Sequence, residues 1–108
     1  MIIIIEVKVA DDGRPPEGSP VRVEVRDTSY ADAPAVTIGA ARGHVRGHGS
    51  WLETVEVETD SLPDGCTVFA HVDVDDDGRV SPGDFLTTES YPVPREAEPR
   101  VSVQVRRV

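Results

Sequence analysis

Thr67-Val-Phe-Ala-His-Val-Asp-Val-Asp-Asp-Asp-Gly-Arg-Val-Ser-Pro-Gly-Asp-Phe-Leu86 settles whether this chain is built from helices or strands. Val68, Ala70, Val72 and Val74 recur at every second position, the period of a strand with one buried face and not the 3.6 of a helix. Downstream, Phe85 to Val93 is rich in Thr, Tyr and Phe, which suit a pleated, half-buried surface. Both flanks of the acidic run therefore read as strands.

The run between them, Asp73 to Asp84, has the layout of a calcium loop. Carboxylates fall at loop positions 1, 3, 5 and 12 (Asp73, Asp75, Asp77, Asp84), glycine at 6 (Gly78), an apolar residue at 8 (Val80) and a hydroxyl at 9 (Ser81). Ca²⁺ takes six to eight hard oxygens, and alternate residues of a tight loop can aim several of them at one centre. Arg79 would contribute its carbonyl, and Ser81 its hydroxyl or a bound water. Asp84 would close the far side through one oxygen where a longer glutamate uses two, which makes the expected site weak. Because strands flank it, the loop would staple and not switch as a helix-loop-helix does. The same residues also read as a plain turn, since Asp-Asp-Asp-Gly and Pro82-Gly83 are good turn formers.

Outward from the loop, the pattern repeats. Ile3, Ile5, Val7 and Val9 alternate with outward residues, Val21, Val23 and Val25 alternate with Arg22, Glu24 and Arg26, and Val55 and Val57 alternate with Glu56 and Glu58. Val101, Val103 and Val105 form a last strand. Val36 to Ala40 predicts a short strand, and Ala41 to Ser50, with three glycines, two arginines and two histidines, predicts a mobile or edge loop. Asp11 to Pro20 and Asp27 to Ala35 predict connections, the second with a short 3₁₀ turn. Some seven one-sided strands, no helix of usable length and no repeat predict an all-β, two-sheet antiparallel sandwich, immunoglobulin-like or transthyretin-like, over residues 1–108 as a single domain. A chain of 108 residues buries roughly 60 to 70 per cent of its unfolded surface, enough to fold alone.

Charge and composition exclude several functions. A net charge of −9 opposes binding to a phosphate backbone, so nucleic acid is not expected as a partner. The apolar N-terminus is too short for a membrane span and lacks a basic leader, which places the protein in the cytoplasm if Met1 is its true start. If a leader was removed, the periplasm or another extracytoplasmic compartment is expected. The single cysteine, Cys66, rules out an internal disulfide and reads as a small packed thiol. His44, His48 and His71 have no zinc spacing with carboxylates. No nucleophile motif accompanies the serines, and acids consecutive in one loop do not flank a cleft as paired catalytic carboxylates do. An enzyme is not expected.

Pro20-Val-Arg-Val-Glu-Val-Arg-Asp-Thr-Ser-Tyr-Ala-Asp-Ala-Pro-Ala35, the Val72 to Val80 run, Thr87-Thr-Glu-Ser-Tyr-Pro-Val93 and the closing valine strand with Arg-Arg-Val together resemble the YbaY/YscW lipoprotein family, which includes pilotin-like chaperones of type III secretion. The resemblance covers most of the chain from about Pro15, and Asp27 to Ala35 is its most specific segment. It implies a small β-sandwich, commonly tethered by a lipidated cysteine near the N-terminus, without established catalysis. This sequence has no cysteine at that place.

Two functions are compatible with these residues. One is an interaction or chaperone-like module whose strand edges receive a partner protein by β-augmentation. The other is a calcium-dependent module in which the ion orders a surface for a small ligand such as a carbohydrate.

Overall fold

Alternating valines and isoleucines build the strands, and β-branched side chains hold the extended backbone because they are stiff at χ1. The computed structural model describes residues 1–10, 13–29 and 34–108. The strands are β1 (Ile2–Val9), β2 (Pro20–Asp27), β3 (Val36–His44), β4 (Trp51–Glu58), β5 (Cys66–Val72), β6 (Phe85–Leu86) and β7 (Arg100–Arg107). Ile3, Ile5, Val7, Val21, Val23, Val25, Val57, Val72, Val103 and Val105 are fully buried and belong to one continuous core. The 3₁₀ turn expected within Asp27 to Ala35, and much of the segment most specific to the family resemblance, lie outside the described residues.

The strands follow one order, β3-β2-β5-β6-β7-β1-β4, in place of the two separate sheets expected. The join is β6, two residues long, which pairs with β5 through Val72 and Phe85 and with β7 through Phe85 and Arg107. The sheet rolls until its ends, β3 and β4, come together without a hydrogen-bonded ladder, giving a nearly closed barrel. One pair is also parallel where all were expected antiparallel. The connection from Pro94 to Pro99 returns the chain to the start of β1, where Ile4 N–H donates to the Pro99 carbonyl at 3.0 Å, so β7 begins beside β1 and must run with it.

Two segments depart from the expected reading. The stretch expected to loop from Ala41 is strand as far as His44, because glycine here serves close approach and not a turn. A Cβ on Gly39 would sit 2.7 Å from Val57 Cγ1, and one on Gly43 would sit 2.6 Å from Glu53 Oε2. After Leu86 the expected strand to Val93 is interrupted. Thr87 N–H reaches Ala70, Thr88 to Ser90 leave the ladder, and contact with β5 resumes where Val68 N–H reaches Tyr91 and Val93 N–H reaches Cys66. Pro92, which has no N–H, suits this broken edge.

Cys66 is buried as expected, and that burial, with the Asp27 carboxylate as a lesser cause, pushes its thiol pKa up. Between His44 and Trp51 the turn is held by Arg14, whose guanidinium donates to the carbonyls of Arg46, Gly47, Gly49 and Trp51 at 2.8 to 3.0 Å. No helix among the described residues is long and apolar enough to cross a membrane.

Candidate functional site

The acidic loop leaves β5 at Val72 and enters β6 at Phe85. Asp73 and Asp84 stand at its two ends, 2% and 1% exposed, so the loop closes over its own first and last carboxylates. Asp73 accepts the N–H groups of Asp77 and Gly78 at 3.3 and 2.8 Å. Asp84 accepts those of Val74 and Ser81 at 3.0 and 3.2 Å. The backbone reverses through Asp76 and Gly78, both at positive φ, where glycine meets no steric cost and aspartate tolerates the left-handed region.

Of the six residues expected to ligate, four converge. A carboxylate oxygen from each of Asp73, Asp75, Asp77 and Asp84 lies within 4.8 Å of the others. The Ser81 hydroxyl joins them, donating to Asp75 Oδ2 at 2.8 Å with Asp84 Oδ2 at 3.5 Å. That hydroxyl is the main reason the Asp75 carboxyl is held below its ordinary pKa. Arg79 is exposed, and its backbone N–H donates to Asp77 Oδ1 at 2.9 Å.

Two further residues belong to this cluster, and single-strand periodicity does not reveal them. His71, 4% exposed, has Nε2 2.8 Å from Asp84 Oδ2 and Nδ1 3.3 Å from an Arg22 nitrogen. Arg22 also pairs with Asp73 Oδ2 at 3.1 Å. Arg22 and His71 are direct cross-strand partners in the β2–β5 register, so pairing places both beneath the loop. An arginine donating to Nδ1 leaves Nε2 to carry the proton toward Asp84, which is the neutral tautomer. His71, Asp73 and Asp84 form a second group whose ligand atoms lie within 4.8 Å. Among the described residues, neither His44 nor His48 belongs to such a group.

The other feature of note is the seam between β3 and β4. Glu53 occupies a core-facing position of β4, and its carboxylate accepts from His44 N–H at 3.3 Å, Thr54 N–H at 2.9 Å and Arg46 Nε at 2.8 Å. Burial opposes its ionisation, but these three donors outweigh that cost and hold the carboxyl below its ordinary pKa. The carboxylate thus stands where a ladder hydrogen bond between β3 and β4 would otherwise form.

No protein-family model and no curated protein matches this chain. Among solved structures it is similar to an alternative pilotin from the type II secretion system of Vibrio cholerae. The two share 25% sequence identity and a TM-score of 0.75, over 100% of this chain and 96% of the other. The likeness supports the pilotin-like side of the sequence resemblance; the YbaY/YscW family itself has no matching model here.

Proposed function

We propose that this protein is a non-enzymatic, pilotin-like interaction module that binds a partner polypeptide and assists the assembly of a secretion complex outside the cytoplasmic membrane. The observation that carries the reading is the likeness to the Vibrio cholerae pilotin, which extends over the whole of this chain. A sheet that ends in two unladdered edges is also the kind of scaffold that receives another chain. Its test is chemical cross-linking in the native cell followed by co-purification and mass spectrometry. One polypeptide recovered in fixed stoichiometry is expected. Recovery of the uncross-linked protein alone would overturn the reading.

A second role is proposed for the acidic loop, on the convergence of four carboxylates. A Ca²⁺ ion held by Asp73, Asp75, Asp77, Asp84 and the Ser81 oxygen would relieve their mutual repulsion and brace the β5–β6 corner. Mass action then raises stability by roughly 2.7 kcal/mol at a hundredfold excess of free ion over Kd. Melting in calcium and in chelator should differ by about 10 °C for the wild type and by nothing for Asp75→Ala/Asp77→Ala. Identical melting of the wild type in both would remove calcium from the account.

A further inference from the structure

We infer that the free edge of β3 at Ala40–Arg42 receives an extended segment of a partner protein, and that Arg42 selects a segment bearing an aspartate or glutamate beside it. This rests on the interaction-module reading and adds the edge, the geometry and the chemistry of the occupant.

The register locates the edge. In an antiparallel pair, alternate residues turn both backbone groups away from their partner strand. His44 N–H points away from β2, to Glu53, and Ala40 and Arg42 lie four and two residues before it in unbroken register with Glu24 and Arg22. The N–H and C=O groups of Ala40 and Arg42 therefore face the open side. The Glu53 carboxylate ends this template at His44, and the register shift beside Gly39 ends it at the other side. What remains suits a short strand.

Charge argues for the occupant. Arg42 is exposed, and among the described residues it has no hydrogen-bond or ion-pair partner, whereas Arg22, Arg26, Arg46, Arg95 and Arg100 each pair with a carboxylate. The seam beside it is lined by three arginines (Arg42, Arg46, Arg100) against two glutamates (Glu53, Glu56), a local reversal on a chain of net charge −9. Concavities lie on both sides of Arg42. One, of about 350 Å³, is bounded by Ala40, Phe69 and Val80, and the other, of about 560 Å³, by Ile4, Ala41 and Val55. An added strand sends alternate side chains to opposite faces, so each concavity can take one. Two copies of β3 edge to edge would bring arginines together with no acid in Val36–His44 to answer them, which opposes self-pairing.

The test selects peptides from a random phage-displayed library on the full chain, then measures synthetic versions by fluorescence anisotropy. Selected peptides should be enriched in Asp or Glu between apolar residues and should slow amide exchange in β3. Arg42→Glu should weaken them roughly tenfold, with binding regained when the peptide acid becomes lysine. N-methylation of alternate peptide nitrogens should abolish binding, because it removes the backbone donors. Peptides that bind with no acidic preference, or equally well to Arg42→Glu, would overturn the inference and leave the interaction module standing. Failure to select any peptide would count against both.

Discussion

Replacing Asp84 by alanine is expected to lower the unfolding free energy by about 3 to 5 kcal/mol, the range for breaking a buried, hydrogen-bonded charge cluster by removing one member. Asp84 is 1% exposed and accepts from Val74 N–H, Ser81 N–H and His71 Nε2, so its loss orphans donors at both ends of the loop. Its backbone is equally committed. The Val108 N–H donates to the Asp84 carbonyl at 2.9 Å and Gly83 N–H to the Val108 carbonyl at 2.8 Å, tying the loop's end to the last residue of the chain. The loosened corner is where β6 joins the two halves of the sheet. Asp84→Asn keeps the shape and the Val74 contact, and His71 can change tautomer to meet the amide, so about half the loss is expected. Urea denaturation followed by Trp51 fluorescence measures both variants, and an unchanged m-value would assign the effect to the folded state. An Asp84→Ala loss below 1 kcal/mol would mean that the network does not hold this corner.

Glu53→Ala should cost about 2 kcal/mol at pH 7, because the His44 and Thr54 N–H groups lose their acceptor while the exposed Arg46 guanidinium returns to water. The pH dependence is the sharper expectation. With its folded pKa depressed, Glu53 binds its proton less readily in the native chain than in the unfolded one. Its contribution is thus complete above the unfolded value of about 4.3 and is lost as pH falls through the lower folded value. The stability gap between wild type and Glu53→Gln should be widest near neutrality and narrow on acidification below about pH 4. Denaturation at stepped pH tests this, and a gap constant from pH 7 to pH 3 would show that the carboxylate charge contributes nothing at the seam.

Much of the architecture follows from local pattern. The inward sets on β1, β2 and β7 are legible because a period of two allows a single assignment once one face is buried. β3 and β6 were misread for opposite reasons. Gly39 and Gly43 look like loop residues until β4 is seen pressing on their Cβ positions, and Thr87 to Tyr91 looks like strand until the broken ladder is seen. In the candidate site, the spacing of Asp73, Asp75, Asp77 and Asp84 could be read directly, since four ligand-type residues in one loop share local geometry. Arg22 lies 51 residues from Asp73, and no local rule relates them.

Strand identity, the acidic corner and the all-β class were thus determined by the sequence itself, because each depends on neighbours a few residues apart. Tertiary structure decided the rolled single sheet, the parallel β1–β7 pair, the Arg22–His71–Asp84 network and the unladdered seam at Glu53. Each of these depends on which distant strand lies alongside, and that choice minimises the energy of the whole core and not of any one segment.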